Sequence, residues 1–333
     1  MKKNGETHPS GSLYSPAVSG LATFSRLPQK TEFNQAEIDL AILGIPFDGL
    51  VTFRPGARFG PNAIRQSSVL CRNYSQQMEV GVYEQLRAID AGDVNVNPFN
   101  YDETFRLIES RVSELQSLDA SVISLGGDHS ILLPILRATT KKYPELTLIQ
   151  FDAHTDTSEG TLSGHRYHHG TSVRMAIEEG LIQGNRIFQI GIRGSVSSAD
   201  YNDFAKQAEI NILDMQGFHN PNVRAAFSEK LREVAGSAPC YLTFDVDGID
   251  PAFAPGTGTP VVGGLTSFEA LDMMRSLRGL RFIGGDVVEV APAYDCSEIT
   301  SMLGAAIAFE IAALIALTRQ SEPHQTLACQ PSS

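Results

Sequence analysis

The sequence predicts an α/β protein built as a three-layer, doubly wound sheet of about eight mostly parallel strands, with helices on both faces. Two observations predict this fold. Short apolar runs rich in Ile, Val, Leu and Phe alternate along the chain with longer segments of helical periodicity, a pattern typical of βα units. Most of the runs lack a strict alternation of polar and apolar residues, as expected for strands buried on both faces of a parallel sheet.

The individual elements follow from these patterns. The eight predicted strands cover residues 39–45, 86–91, 121–125, 146–152, 186–192, 209–213, 240–245 and 281–287. The clearest predicted helices cover residues 101–117, 266–277 and about 297–319. Apolar residues recur every three or four positions in the first of these helices. The second begins with Thr266 and has Glu269 three residues later, which is the signature of a capping box.

We expect a single domain over residues 1–333. The chain is 42% hydrophobic, which is enough apolar material for one large core. It has no internal repeat, and no linker-like composition interrupts its middle. Residues 1–34 mix Gly, Ser, Pro and charged residues without a period, so we expect an N-terminal arm at the surface or at a subunit contact. Residues from about 321 to 333 are expected to form a flexible tail.

Composition excludes several classes of partner. The formal net charge is -12 and the pI is about 5.1, which argues against binding to nucleic acid or to an anionic membrane. Four cysteines occur without a CxxC spacing, so we expect reduced thiols in a cytoplasmic protein. No apolar segment typical of a secretory signal follows the first lysines, and no uninterrupted run of 18 apolar residues occurs.

Three segments rich in Asp and His each follow a predicted strand: 126–130 (GGDHS), 152–156 (DAHTD) and 245–250 (DVDGID). Loops at the carboxyl ends of strands carry the chemistry in sheets of this kind. Asp152, His154 and Asp156 are spaced by two, as are Asp245 and Asp247. In extended backbone, side chains at this spacing point the same way, so we expect them to converge.

With His129 added, the segments bring together two imidazoles and four carboxylates. Four packed carboxylates repel one another unless cations or protons neutralise them, and two divalent cations carry the matching charge. A mixed set of oxygen and nitrogen ligands suits Mn²⁺ and also accommodates Fe, Co, Ni or Zn. The sequence therefore predicts a two-metal site. Asp250 departs from the regular spacing and precedes Pro251, so we interpret it as a supporting group and not as a ligand.

These motifs resemble those of the ureohydrolases, the arginase and agmatinase family, and most closely its agmatinase and guanidino-acid hydrolase branch. The resemblance covers about residues 40 to 318. It implies an arginase-like fold and a hydrolase with two divalent metal ions per chain, Mn²⁺ by family default and Ni²⁺ as the alternative. Such an enzyme cleaves a C–N bond of a guanidino compound to urea, or a urea derivative, and an amine. The matching segments are 54–61, 126–130, 152–157, 190–193, 243–260, 263–266 and 286–292.

The resemblance also implies a role for each site residue. Glu289 matches the family carboxylate that holds the guanidinium group, and His169 matches the histidine that shuttles a proton. All six ligand positions are intact in this sequence. They comprise His129 and Asp156 for one metal, His154 and Asp247 for the other, and Asp152 and Asp245 as bridges.

The substrate is less defined by the sequence. The loop between Asp156 and His169 lacks the Asn and Ser pattern with which arginases bind an amino-acid head group, so arginine is disfavoured. Arg166 is either a partner for a substrate carboxylate or a solvated charge. Phe53 lies where agmatinase-like sequences often carry a polar residue, which favours a small or apolar guanidine derivative. The candidate substrate-contacting residues are Glu289, His165, Arg166, His168 and Phe53.

Several functions therefore stay open. The substrate is agmatine-like or a guanidino acid, with guanidine itself or an alkylated biguanide as the alternative. In a different class, the chain is a weakly active partner subunit of a hetero-oligomeric ureohydrolase, or a metal-stabilised protein that binds guanidines without turnover. By resemblance we expect a homotrimer or homohexamer, with a homologous partner subunit as a further option.

Overall fold

The protein is described here from a computed structural model, in which residues 20–30, 38–160 and 165–321 are described. The predicted tail beyond residue 321 and most of the predicted arm lie outside these ranges. Within the arm, Phe24 and Leu27 are buried, and the Phe24 amide donates a hydrogen bond of 2.9 Å to the Asp90 carboxylate. Residues 20–30 therefore pack against the body of the chain.

Eight strands form one sheet, and every neighbouring pair in it is parallel. Within the described residues the strands are β1 Leu40–Gly44, β2 Tyr74–Ser75, β3 Val80–Gly81, β4 Ala88–Asp93, β5 Ser121–Leu125, β6 Thr147–Phe151, β7 Ile187–Ile192, β8 Asn211–Asp214, β9 Pro239–Asp245 and β10 Arg281–Val288. The order across the sheet is β4-β1-β5-β10-β9-β6-β7-β8, and the short β2 and β3 form a separate antiparallel pair.

Helices cover both faces of the sheet. They are α1 Gly60–Ser67, α2 Val82–Gln85, α3 Tyr101–Ser117, α4 Leu132–Lys142, α5 Ser172–Glu178, α6 Asp203–Gln207, α7 Met215–Phe218, α8 Pro221–Ala235, α9 Ser267–Ser276 and α10 Ile299–Ser321. Alternate residues of β1 enter two separate cores: Leu40 and Ile42 face the side of α1, α8, α9 and α10, while Ala41 and Leu43 face the side of α3, α4 and α5. The predicted fold class is confirmed.

The predicted capping box at the start of α9 is also present. The Thr266 hydroxyl accepts the Glu269 amide at 3.1 Å, and the Glu269 carboxylate accepts the Thr266 amide at 2.9 Å. These two contacts satisfy amides that the first turn of a helix leaves without an intrahelical partner. The sequence signature thus fixes where α9 begins.

The last described helix, α10, is long and apolar enough to cross a membrane by length and composition alone. Its most apolar window has a mean hydropathy of 2.0, but 78% of that window is buried inside the protein. The helix packs against β10 and α1, and its buried Glu310 pairs with Arg275, whose Nε lies 3.0 Å from the carboxylate. A helix enclosed in this way is a core helix.

The sheet order determines where the site lies. Strands β5, β10, β9 and β6 are consecutive neighbours in the middle of the sheet. Because all four are parallel, their carboxyl ends meet at one edge. The segments that follow these four strands carry the Asp, His and Glu residues that the sequence singled out. The three cysteines within the described residues, Cys71, Cys240 and Cys296, form no disulfide.

Candidate metal centre and active site

The predicted site residues converge at the carboxyl edge of the central strands. His129 follows β5, Asp152 follows β6, Asp245 ends β9, and Glu289 follows β10. All four residues are buried. The parallel sheet therefore gathers groups that lie up to 160 positions apart in the sequence.

The way in which the side chains converge differs from the prediction. The extended backbone expected from the spacing of two is wrong beyond Asp152 and Asp245, because the chain turns where each strand ends. The Asp152 carboxylate accepts the amide of His154 at 2.6 Å, and the Asp245 carboxylate accepts the amide of Asp247 at 2.9 Å. Aspartate readily closes such a turn onto the amide two residues later. Each turn redirects the second ligand-type residue back toward the first.

One cluster surrounds the Nδ1 atom of His129. Carboxylate oxygens lie 2.9 Å away on Asp156, 3.1 Å away on Asp152 and 3.3 Å away on Asp245. Asp156 has a left-handed backbone, with φ at 52°, a conformation that costs free energy in a residue other than glycine. The surrounding fold holds this carboxylate in place against that cost.

A second cluster surrounds His154. Its Nδ1 lies 3.1 Å from an oxygen of Asp247 and 3.5 Å from Oδ1 of Asp152. The other oxygen of Asp152, Oδ2, faces His129 in the first cluster. Two groups are close enough to hold a metal ion: His129, Asp152 and Asp245 in the first cluster, and Asp152, His154 and Asp247 in the second. Asp152 thus presents one oxygen to each cluster, which is the arrangement required of a bridging carboxylate.

The charges of the two clusters are strongly coupled. Burial by itself lowers the pKa of each histidine, but the neighbouring carboxylates outweigh burial and raise the pKa of His129 well above its usual value and that of His154 to about 12. Burial, with help from the neighbouring carboxylates, raises the pKa of Asp245 well above its usual range. Without divalent cations, protons must therefore neutralise the site, and cations that bind there would displace protons.

The hydrogen bonds of His129 fit a metal ligand. Its Nε2 lies 2.9 Å from the Thr243 hydroxyl, which donates at 2.6 Å to Asp286, and the Tyr241 hydroxyl donates to the same carboxylate at 2.8 Å. In the neutral ring, these hydrogen bonds place the hydrogen on Nε2 and leave the lone pair on Nδ1, where a cation would take the place of a proton. The Nδ1 atom is buried and forms no hydrogen bond, although three carboxylates surround it. A divalent cation suits this donor set.

Hydrogen bonds from neighbouring residues also orient the ligand carboxylates. The Gln150 amide donates to Asp152 at 2.7 Å, and the Thr259 hydroxyl donates to Asp247 at 3.1 Å. The Ala153 amide donates to the other oxygen of Asp247 at 3.1 Å. Such contacts fix the direction of each carboxylate, so the two clusters are preorganised for their ions.

Only one of the two carboxylate oxygens of Glu289 has hydrogen-bond partners. Its Oε1 accepts the amide of His129 at 2.9 Å and lies 2.9 Å from Nδ1 of His169. Its Oε2 is buried and has no hydrogen-bond partner. A Cβ atom added to Gly258 would lie 3.6 Å from this oxygen, so glycine keeps the space beside it open. The left-handed φ of Glu289, 63°, marks a strained position of the kind found at functional sites.

His169 links Glu289 to the loop after β1. Its Nε2 lies 3.2 Å from the backbone amide nitrogen of Thr52, which can donate to the neutral ring, and 2.7 Å from the Thr52 hydroxyl. Burial lowers the pKa of His169 and the Thr52 amide favours the neutral ring, but the contact with Glu289, with smaller contributions from Asp128 and Asp156, outweighs both and raises the pKa to about 9. The imidazole therefore holds its proton at neutral pH.

His169 and Thr52 line a cavity of about 140 Å³ together with members of both clusters, whereas Glu289 is not among its described lining residues. His168 lines it together with His169. His165 is exposed and Arg166 turns away to the Glu178 carboxylate at 2.9 Å, so neither is among the described residues at the cavity wall. Phe53 is 66% exposed. The described lining comprises Thr52, His129, His154, Asp156, Ser158, His168, His169, Gly170, Tyr201, Asp245 and Thr259.

The sequence reasoning missed several of the residues that shape this site. Thr243 and Gln150 could have been found, because each lies two positions before a predicted ligand on the same face of a strand. Asp286 lay inside a segment already matched to the family. No local signal marks Thr52 or Tyr201, since each reaches the cavity only through the tertiary fold.

Comparisons with known proteins show what this chain is similar to. The model of the Arginase family matches residues 38–314. The chain is 42% identical over 301 residues to guanidinopropionase from Pseudomonas aeruginosa, covering 90% of this chain and 93% of that protein. It is 42% identical over 298 residues to agmatinase from Neisseria gonorrhoeae, covering 88% and 92%.

Among solved structures, proclavaminate amidino hydrolase from Streptomyces clavuligerus is 37% identical, with a TM-score of 0.85 over 91% of this chain and 100% of that chain. The family match covers all four strand ends that build the site. It also covers every residue of the two metal-ligand clusters. The chain belongs to the arginase family.

Proposed function

We propose that this chain is a binuclear-metal hydrolase that cleaves a C–N bond of a small linear guanidino compound, giving urea or a urea derivative and an amine. The relatives confirm the predicted enzyme class, a hydrolase acting on linear guanidino compounds. The number of metal ions, their identity, the role of each residue and the substrate itself are part of the proposal.

The free oxygen of Glu289 carries the proposal. A buried carboxylate oxygen without a hydrogen-bond partner is costly. The other oxygen of Glu289 contacts His129 and His169, and both of these residues line a cavity that also reaches both metal-ligand clusters. A guanidinium group supplies what the free oxygen lacks, a planar cationic donor. Glu289 would thus hold the guanidinium against the clusters at a fixed distance, which contributes to catalysis by orientation.

The two clusters would hold the metal ions. His129 and Asp156 would bind one ion, His154 and Asp247 the other, and Asp152 and Asp245 both. We propose Mn²⁺ as the native metal, since carboxylates dominate the ligand set, with Ni²⁺ as the alternative. Bound divalent cations would supply Lewis acidity and an activated water at neutral pH.

His169 is suited to the proton transfer that the reaction needs. The leaving nitrogen must take up a proton before an amine can depart, and an imidazole that keeps its proton at neutral pH can supply one. His169 lines the cavity, touches Glu289 and lies outside both ligand clusters. Its replacement should therefore leave the metals bound and slow turnover.

The proposal leaves open which group the substrate carries at the end opposite its guanidinium. The relatives named above include an enzyme named for a guanidino acid and one named for agmatine, at equal identity, so identity does not separate these substrates. Among the described residues of the cavity wall there is no Lys or Arg. We propose a linear guanidino compound, agmatine-like or a guanidino acid, and expect arginine to be turned over poorly.

A subunit that needs a partner for activity is the remaining candidate of another class. The complete ligand set and its preorganising contacts favour a chain that is active by itself or as a homo-oligomer. We retain the prediction of a homotrimer or homohexamer located in the cytoplasm.

The proposal is tested by loading the purified chain separately with Mn²⁺ and Ni²⁺ and measuring urea or amine release. The panel comprises agmatine, 3-guanidinopropionate, 4-guanidinobutyrate, arginine, guanidine and a biguanide. Turnover of one linear guanidino compound by the chain alone is expected. Binding of the panel without turnover would instead support a guanidine-binding protein, and activity only after addition of a homologous chain would support a partner subunit.

A further inference from the structure

We propose that the hydroxyl group of Thr52 passes the proton from His169 to the leaving nitrogen of the substrate. This inference rests on the function proposed above. Thr52 lies in the loop after β1, 117 positions before His169 in sequence. Its Oγ1 lies 2.7 Å from Nε2 of His169, and its side chain lines the cavity.

The hydrogen bonds around His169 leave one exit for a proton. The Nδ1 atom faces Glu289 at 2.9 Å. The backbone amide of Thr52 can only donate, so Nε2 is the acceptor in this arrangement and the hydrogen of the neutral ring lies on Nδ1. A proton gained by the ring must therefore reside on Nε2. The one side-chain group within hydrogen-bond distance of Nε2, among the described residues, is the Thr52 hydroxyl.

A threonine hydroxyl can accept one hydrogen bond while it donates another. When His169 is protonated, its Nε2–H donates to Thr52 Oγ1, and the hydroxyl hydrogen is free to point into the cavity. The hydroxyl hydrogen then moves to the leaving nitrogen as the Nε2 proton moves to Oγ1, and the C–N bond breaks. Thr52 ends as a hydroxyl, His169 ends neutral, and a solvent proton restores it.

The alternative is that Thr52 only holds the ring in place. In the neutral ring, the backbone amide of residue 52 already does this, because its donation to Nε2 does not depend on the side chain. Substitutions of the side chain therefore separate the two roles. Thr52→Ser keeps the hydroxyl, whereas Thr52→Val keeps the branched shape and removes it.

The experiment measures kcat and KM for wild type, Thr52→Ser and Thr52→Val with the best substrate of the panel. General acid catalysis contributes about 10²- to 10⁴-fold, so Thr52→Val should lower kcat by about 10- to 100-fold and change KM by less than about threefold. Thr52→Ser should stay within about threefold of wild type. Thr140→Val is the matched control, since its hydroxyl bonds only the Leu136 carbonyl on α4.

A second substrate distinguishes proton delivery from a structural effect. An alkoxyguanidine, whose leaving nitrogen is bonded to oxygen and is less basic, needs less proton delivery. The kcat deficit of Thr52→Val should shrink by at least about tenfold with it, and Thr52→Val should add no deficit in a His169→Asn background. Thr52→Ala repeats the measurement if Thr52→Val does not fold.

The relay would be overturned if the kcat of Thr52→Val fell by the same factor with both substrates, or if Thr52→Ser were as slow as Thr52→Val. In either case, turnover by wild type would still support the proposed function. If wild type turns over no guanidino compound, the proposed function fails and the relay fails with it.

Discussion

Replacement of Glu289 by glutamine tests the proposed anchor for the substrate. The substitution preserves the shape of the side chain and removes its charge. Oε1 can still accept the His129 amide, but Oε2, which is buried and unpartnered, no longer offers a carboxylate to a guanidinium. Removal of one partner from a buried ion pair costs about 3–5 kcal/mol. At about 1.36 kcal/mol for each factor of ten, kcat/KM should fall by about 10²- to 5 × 10³-fold.

The assay is steady-state urea release at fixed Mn²⁺, with metal content measured on the same samples. Glu233→Gln is the matched control, because Glu233 is exposed on α8 far from the carboxyl edge of the sheet. Glu289→Gln should keep its metals, since Glu289 belongs to neither ligand cluster. A loss of less than about threefold in kcat/KM, with both metals retained, would refute the reasoning that the free oxygen holds the guanidinium.

Three further predictions follow from the contacts around the site. Burial lowers the pKa of His169, but Glu289 raises it, to about 9. The ring is therefore protonated below that pH, and kcat/KM should fall as the pH rises through about 9. A fall in kcat/KM that begins below about pH 7.5 would contradict this prediction. Thr243→Val removes the hydroxyl group that orients His129 and should weaken metal binding by about 10- to 100-fold, measured by metal titration. Thr147→Val is the control, because the Thr147 hydroxyl has no hydrogen-bond partner, and it should leave metal affinity unchanged. Arg166→Ala should change KM by less than about twofold in the urea assay, because Arg166 pairs with Glu178 away from the cavity; a tenfold rise would mean that it reaches the substrate.

The sequence was most informative where chemistry and periodicity agree. Long apolar runs predicted the buried parallel strands, and the capping box predicted the start of α9. The ligand-type residues could be chosen because four carboxylates gathered at three strand ends repel one another unless cations or protons neutralise them. The order of the strands could not be read from the sequence, because it depends on which crossovers pack best in three dimensions.

The details of the site depend on the tertiary fold. The left-handed backbone of Asp156 and Glu289 runs against local preference, so local rules place these side chains wrongly. Three histidines lie within five positions of one another, and only packing decides that His169 is buried while His165 is exposed. The contact between Thr52 and His169 joins loops that follow different strands, and no local sequence pattern at either position predicts it.

The central claim is that two divalent ions bind in the two clusters and are both needed for activity. The direct measurement is titration of metal-free chain with Mn²⁺, following bound metal by mass spectrometry and urea release in parallel. The account predicts two ions per chain, proton release on binding, activity that appears as the second ion binds, and loss of that second equivalent in Asp152→Asn. Full activity with one ion per chain, or activity that survives complete removal of metal, would contradict it.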